Sequence, residues 1–229
     1  MILASDFDNT LYVSDINIVN KNIESINKFR KKGNLFVIIT GRGINSVKKY
    51  IDEYNMAYDY LICDNGAMIF DNEDNLLLGT CLLEKEDVDK IIDIIKRDNL
   101  KYILDTGYEY ITDVNTDYKD LACIFLDRKT ISNSEELLEE ILNTTNTYSY
   151  LSDNWINSIN INIDKKLTLD KLNEVLDYKY AIHGIGDAIN DISMITSYDG
   201  GVMKIHEKEL DELPNKNYDS LSDYIEELI

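Results

Sequence analysis

Asp6 and Asp8 stand two apart in Asp6-Phe7-Asp8-Asn9-Thr10-Leu11, at the end of the stretch Ile2-Leu3-Ala4-Ser5. Side chains two apart on an extended strand face the same way, so a strand persisting to Asp8 brings both carboxylates into one small volume. Two ionised carboxylates repel there unless a cation holds them, and a hard divalent ion such as Mg2+ is the natural occupant. An ordinary turn with an Asx-type cap also accounts for Asp8-Asn9-Thr10 on its own. A second acidic stretch, Gly186-Asp187-Ala188-Ile189-Asn190-Asp191, favours the metal reading. Asp187 follows another apolar strand, and Asp191 lies one helical turn further along the same face. Helix capping by Asp187 or Asn190 is compatible with that role.

Two further segments would manage negative charge. In Ile39-Thr40-Gly41-Arg42 a hydroxyl ends an apolar strand just before backbone N–H groups open a helix, which makes an anion site. In Asp164-Lys165-Lys166-Leu167 a lysine beside several acids would neutralise a bound phosphoryl group, although an isolated lysine is ordinarily solvated surface.

These segments need strand ends to hold them. Strands are expected at Ile2–Phe7, Leu35–Ile39 and Tyr60–Cys63, and helices at Asn20–Lys32 and Val47–Tyr54, with Gly33 stopping the first helix. The run Leu35-Phe36-Val37-Ile38-Ile39 is apolar throughout, as in a parallel strand covered on both faces. The alternation predicts an α/β, Rossmann-like core of right-handed βαβ crossovers, whose ligands gather at the carboxyl ends of the strands.

The rhythm changes between residues 81 and 162. Helices at Glu84–Arg97 and Ser134–Leu142, the latter capped by Ser134, alternate with strands at Lys101–Asp105, Tyr108–Thr112, Asp120–Leu126, Tyr148–Leu151 and Trp155–Ile163. This predicts an inserted α+β module at 81–162 within a core made of 1–80 and 163–229. The core rhythm then resumes with a helix at Leu167–Leu176, a strand at Tyr180–Ile185, a helix starting over Ile189–Ile195, a strand at Gly201–Met203 and a final helix at Ser220–Leu228.

Composition narrows the function. The 229 residues carry 43 Asp plus Glu against 23 Lys plus Arg, a formal charge of −20, which argues against nucleic acid and anionic membrane partners. No apolar run reaches the length of a membrane span and no signal peptide is visible. Cys63, Cys81 and Cys123 are odd in number and far apart, which suits a reducing cytosol rather than a disulfide framework. A cytoplasmic protein is expected, as monomer or homodimer. With only His183 and His206 present, its chemistry runs mostly on carboxylates.

In this order the segments resemble the haloacid dehalogenase superfamily of aspartate-nucleophile phosphatases, in its Cof-type branch, across nearly the whole chain. Asp64-Asn65-Gly66-Ala67 adds to the match, and the insertion falls where that branch carries its α+β cap. The spacing Lys165…Leu169…Leu172 fits the branch better than one starting at Lys166. The branch usually has Gly where this chain has Asn9, a residue that tolerates positive φ. After the last motif, Tyr198 to Lys204 lacks the branch's usual Asn-Ala pair.

The resemblance implies a Mg2+-dependent phosphatase of small phosphorylated metabolites. Asp6 would be the nucleophile and form an aspartyl-phosphate. Asp8 would protonate the leaving oxygen and later activate water, so the two carboxyls should sit in environments that push their pKa values apart. Asp6, the backbone carbonyl of Asp8 and Asp187 would hold Mg2+, with Asp191 as an outer or water-mediated partner. Thr40, Gly41, Lys165 and Asn190 would hold the phosphoryl oxygens, Thr10 would orient the centre, and Arg42 and Asn65 are possible substrate contacts. A sugar phosphomutase or phosphotransferase on the same scaffold is the alternative, and a non-enzymatic phospho-aspartate switch is a third.

The insertion bears on the substrate. Between Lys129 and Lys165 there is no Lys or Arg, while Tyr148, Tyr150, Asn154, Trp155, Asn157 and Asn160 lie there. Amides and aromatics suit sugar hydroxyls and ring faces, which favours a neutral-bodied phosphomonoester such as a hexose phosphate. The same aromatics serve equally as sheet core, and Lys101, Lys119, Arg128 and Lys129 keep a phosphoglycolate-like substrate open.

Overall fold

The computed structural model describes residues 1–79, 82–114, 120–152 and 154–229; Cys81, Lys119 and Asp153 lie outside the described residues. In chain order the first elements are β1 (Ile2–Asp6), α1 (Ile16–Lys31), β2 (Leu35–Ile39), α2 (Ile44–Tyr54), β3 (Tyr60–Cys63), β4 (Met68–Asp71) and β5 (Leu76–Gly79). An inserted stretch follows, with α3 (Lys85–Asp98), β6 (Tyr102–Asp105), β7 (Tyr110–Ile111), β8 (Cys123–Asp127), α4 (Ser134–Thr144), β9 (Thr147–Leu151) and β10 (Trp155–Asn160). The chain closes with α5 (Lys165–Val175), β11 (Ile182–Gly186), α6 (Ile192–Ser197), β12 (Gly201–Met203), β13 (Asn217–Tyr218) and α7 (Leu221–Leu228).

The first and last groups build one eight-stranded sheet, in the order β13-β12-β11-β1-β2-β3-β4-β5. Strands from β13 to β3 run parallel, and the β4–β5 hairpin adds two antiparallel strands at one edge. Leu3, Phe36 and Ile38 pack with α1, α2 and α7 residues such as Phe29, Val47 and Ile225 on one face. Ile2, Ala4, Val37 and Ile39 pack with Leu169, Leu172 and Met194 of α5 and α6 on the other. The strand period of two thus divides one apolar run between two helical layers, which is why β2 carries no polar residue.

The inserted stretch forms a five-stranded antiparallel sheet, in the order β7-β6-β8-β10-β9. Leu104, Ile124, Leu126 and Ile156 pack against Val88, Ile91, Ile95, Leu137 and Ile141 of α3 and α4. The alternate residues Ile103, Phe125, Trp155 and Asn157 are left facing a cavity shared with the large sheet. The fold is therefore α/β, with a parallel-sheet core and an α+β insertion between β5 and α5.

Several boundaries differ from expectation. β1 ends at Asp6 rather than Phe7, because the chain turns there: Asn9 adopts φ 58°, and the N–H groups of Leu11 and Tyr12 donate to the carbonyls of Asp6 and Phe7. α1 starts at Ile16, four residues early, because the Asp15 carboxylate caps it by accepting the Asn17 N–H. Asn133, not Ser134, caps α4, through the Glu136 N–H. A 3-10 turn over Ile189–Asp191 precedes α6. β4, β5 and β13 are short strands without a clear period of two, and they owe their existence to the edge they pair with. No helix among the described residues is long and apolar enough to cross a membrane.

One buried polar residue ties the first loop to the scaffold. Asn22, fully buried in α1, donates to the carbonyls of Leu11 and Thr10 at 3.0 and 3.4 Å and accepts the Ser222 N–H of α7 at 2.9 Å. Asn22→Leu would orphan these buried backbone groups, and urea denaturation should report a loss on the order of 3 kcal/mol.

Candidate active site

β1 lies between β2 and β11, so its carboxyl end opens into the middle of the large sheet. Asp6 is the last residue of β1 and is 7% exposed. Asp187 follows β11, and Asp191 ends the 3-10 turn after it. Each of Asp6, Asp187 and Asp191 offers a carboxylate oxygen within 4.8 Å of the others. Glycine at 186 is required for that approach, since a Cβ there would lie 2.3 Å from Cγ of Asp191.

One ammonium group faces these three acids. The Asp164 carboxylate caps α5 by accepting the Leu167 N–H at 2.6 Å, which sets Lys165 on the first turn. The Lys165 side chain is fully buried, and its Nζ donates to Asp6 Oδ1 at 2.6 Å and to Asp191 Oδ1 at 2.5 Å. Neighbouring Lys166 instead pairs with Asp170 on the surface of the same helix. Asp191 Oδ2 accepts the N–H groups of Asp187 and Ala188 at 3.1 and 3.0 Å, so both of its oxygens are committed. Thr10 donates to Asp187 Oδ1 at 2.9 Å, and Asn9 reaches Asp187 Oδ2 at 3.4 Å.

The electrostatics record a deficit of positive charge. Burial pushes the Asp6 carboxyl well above the ordinary carboxylate range; Lys165 pulls it down while Asp191 and Asp187 push it further up. Burial, then the Asp191 charge, pushes Asp187 up to about 7, against the opposing hydrogen bond from Thr10. Burial disfavours the Lys165 charge, but Asp191 and Asp6 outweigh it and hold the ammonium above its ordinary value. The donor set is all oxygen and all hard, and Asp187 Oδ2 carries only the long 3.4 Å contact from Asn9, so these residues suit Mg2+.

Asp8 does not join this cluster. Because β1 stops at Asp6, the side chain of Asp8 is carried by the turn toward Arg42, whose Nε and Nη2 donate to its two oxygens at 2.8 and 2.7 Å. The expectation that Asp6 and Asp8 share one strand face is corrected accordingly. Arg42, expected as a substrate contact, is held by this fork and by stacking at 4.9 Å over Tyr50 and 5.7 Å over Phe7. Hydrogen bonding to Asp8, against the opposing effect of burial, holds the guanidinium further above its ordinary value.

A cavity of about 720 Å³ lies over the site. Asp6, Asp8, Asn9, Gly41, Arg42, Asp187 and Asn190 line it from the large sheet. Thr10, Thr40, Asn65, Lys165 and Asp191 stand behind that wall; Asn65, Lys165 and Asn190 border a second cavity of about 340 Å³. Thr40 is buried and its Oγ1 accepts the Arg42 N–H at 3.1 Å, which shapes the turn that presents Gly41. Asn190 donates to Asn65 Oδ1 at 2.8 Å and approaches the Tyr150 hydroxyl at 3.5 Å, so its amide orders Asn65 rather than Lys165.

From the small sheet, Tyr150, Asn154, Trp155 and Asn157 line the large cavity and Tyr148 the smaller one. Asn160 does not reach it, since its amide donates to the Leu82 carbonyl at 2.8 Å. Ile103, Tyr110, Phe125, Ile205, His206 and Glu207 also line the wall and carried no sequence signal, being brought in by strand faces and by the loop after β12.

The family profile of haloacid dehalogenase-like hydrolases matches residues 3–120, more than half of the chain. The chain belongs to that family. This hydrolase is 28% identical to 5-amino-6-(5-phospho-D-ribitylamino)uracil phosphatase of Bacillus subtilis, over 88% of its own length and 82% of the relative's. Its fold matches a solved haloacid dehalogenase-like hydrolase of B. subtilis with a TM-score of 0.85 at 15% identity, covering 100% and 99% of the two chains. It also matches the sugar phosphatase BT4131 of subclass IIB at 0.78 and 17%, covering 99% and 98%. The hydrolase is thus an enzyme of phosphatase type with a Cof-type architecture.

A carboxyl raised in the folded state stabilises fully below its ordinary value and ceases to do so above the raised one. The metal-free hydrolase should therefore lose stability as pH rises from about 4 through about 7 on account of Asp187. Asp187→Asn should raise metal-free stability at neutral pH by about 1–3 kcal/mol and abolish any stabilisation by added Mg2+, as read from melting curves in chelator and in Mg2+.

Proposed function

We propose that this hydrolase is a Mg2+-dependent phosphatase of a small phosphomonoester, acting through an aspartyl-phosphate on Asp6. The observation that carries the reading is a single one. The buried Asp6 carboxylate opens into the cavity with Lys165 on one oxygen, beside further acids that leave room for a divalent cation. Mg2+ held by Asp6 and Asp187, by the Asp8 carbonyl as the resemblance implies, and by Asp191 in an outer position would neutralise Asp6 and a phosphoryl oxygen during in-line attack.

The remaining roles fall to the chain itself. The free Asp6 oxygen attacks phosphorus, and the leaving alkoxide takes a proton from Asp8 on the cavity wall, which carries that proton on an oxygen released from the Arg42 fork. Asp8 then takes a proton from water, whose oxygen attacks the phosphorus of the acyl phosphate, releasing inorganic phosphate and restoring Asp6. The Gly41 backbone on the cavity wall would hold phosphoryl oxygens, with Lys165 and Thr40 directly behind it supplying positive charge and the turn, and Asn190 and Asn65 supporting that wall. Arg42 is best read as the positioning residue for Asp8, because its fork and its two ring contacts fix where that carboxyl points.

We take 1–80 with 163–229 as the core domain and 81–162 as the cap that closes over the substrate. Among the described lining residues, the basic side chains are Arg42, committed to Asp8, and His206, while Tyr110, Trp155, Asn154 and Asn157 offer ring faces and amides. This supports a neutral-bodied substrate such as a sugar phosphate over a second anionic group. Relatives acting on a phosphoribitylamino-uracil and on sugar phosphates favour the same class. Of the basic residues that kept a phosphoglycolate-like substrate open, Lys101, Arg128 and Lys129 are not among the lining residues.

Hydrolysis of aryl phosphate should require Mg2+ and fall by at least about a thousandfold in Asp6→Asn; undiminished turnover would refute the nucleophile assignment. On a phosphomonoester panel, hexose and pentitol phosphates should exceed phosphoglycolate and bisphosphates in kcat/KM. Arg42→Lys removes the planar fork and should lower kcat by about 10–100-fold with a smaller change in KM.

A further inference from the structure

A second pair of buried acids lies away from the metal cluster, at the contact between the two sheets. Asp64 stands in the 3-10 turn after β3, and Asp105 is the last residue of β6. Both are fully buried, and the Arg42–Gly43 backbone brings them together: the Arg42 carbonyl accepts the Asp64 N–H at 3.1 Å, and the Asp105 carboxylate lies against Gly43. Asp105 Oδ1 accepts the Gly107 N–H at 2.7 Å. Among the described residues, neither oxygen of Asp64, nor Oδ2 of Asp105, meets an N–H or hydroxyl donor. Gly43 packs tightly against Asp105: a Cβ there would lie 2.9 Å from Asp105 Oδ2.

Among the described residues, the groups facing the pair offer no positive charge. From β3 and β8 come the thiols of Cys63 and Cys123, which burial holds in the neutral form, and from β7 the Tyr110 phenol. Asp74 of the β4–β5 turn adds a further acid at longer range, acting on Cys63. The Asp64 N–H donates to the Arg42 carbonyl, but the guanidinium of Arg42 turns away to Asp8. Two ionised carboxylates cannot persist in such a place. One O–H between them engages one orphaned oxygen on each side and removes one of the two buried charges.

We propose that Asp64 and Asp105 share one proton that fastens the inserted sheet to the large one, so that opening the cavity releases this proton and grows easier as pH rises. This goes beyond the phosphatase reading and does not depend on it. Burial pushes Asp64 well above the ordinary carboxylate range and Asp105 up to about 6, so Asp64 keeps the proton and Asp105 accepts. Near neutral pH the closed pair then holds one proton more than two solvated aspartates would. The opening equilibrium should therefore rise about tenfold per pH unit.

Native-state hydrogen exchange on the full chain with Mg2+ present, needing no turnover, tests this. After correction for intrinsic rates, opening reported by the amides of Gly107 and Ala122 should rise about tenfold per unit between about pH 6.5 and 8 in the wild type. It should be flat in Asp64→Asn and in Asp105→Asn, where an amide N–H replaces the shared proton. A flat wild-type profile, or a slope unchanged in both variants, overturns the proposal. Should neither variant fold, the carboxyl carbon resonance of wild-type Asp64 decides: protonated at pH 7 supports the shared proton, and ionisation near the ordinary carboxylate value overturns it.

Discussion

Three carboxylates within 4.8 Å of one another, with one buried lysine between two of them, set the terms for the rest of this hydrolase. Desolvating so many like charges is costly, and a single ammonium does not offset it. The fold accepts the cost by distributing the acids over structure that is itself secure. Asp6 ends the central strand, Asp187 ends its neighbour, and Asp191 is held by two backbone N–H groups as well as by Lys165. The remaining imbalance suits the place to a divalent cation.

The organisation outward from that cluster follows from how quickly β1 ends. A turn with Asn9 at positive φ sends Asp8 to the cavity wall, where a planar guanidinium, stacked on Tyr50 and Phe7, receives it. Arg42 belongs to the loop after β2, so the first and second strand ends are joined by a charge pair rather than by backbone alone. Behind the wall, Asn65 and Asn190 meet each other, and Asn190 approaches Tyr150 from the inserted sheet. The large sheet and the inserted sheet thus share polar contacts, while Cys123 and Ile159 of the insertion join the apolar core of the large sheet. The acid pair Asp64–Asp105 sits in that same contact, where a proton rather than a metal resolves the repulsion.

Much of this was legible in the residue order. Carboxylates after apolar runs, a Thr-Gly step and a lysine opening a helix are local signals, because strand ends and helix starts are set by the nearest few residues. The helix-strand-strand grouping of the insertion was legible for the same reason, its faces marked by Val88, Ile91, Ile95 and by Ile124, Leu126, Ile156. What was not legible depended on partners distant in sequence. β4, β5 and β13 are strands through their pairing, and α1 begins early through a single cap. Tyr110, Phe125 and His206 line the cavity only because two sheets meet there.

The sequence by itself determined which chemistry is available: acids in number, at strand ends, with one lysine placed to oppose them. Tertiary structure decided how that chemistry is apportioned. It sent Asp6 into the acid cluster and Asp8 to Arg42, although the two are separated by one residue, because the bend at Asn9 breaks the period of two. It also set Nζ of Lys165 between Asp6 and Asp191, residues far from it in the chain, while Lys166 stays at the surface, in keeping with the spacing of Lys165 to Leu169 and Leu172. And it brought Asp64 against Asp105, 41 positions away, a meeting that no local pattern encodes because burial and charge state are properties of the packed interface rather than of either residue.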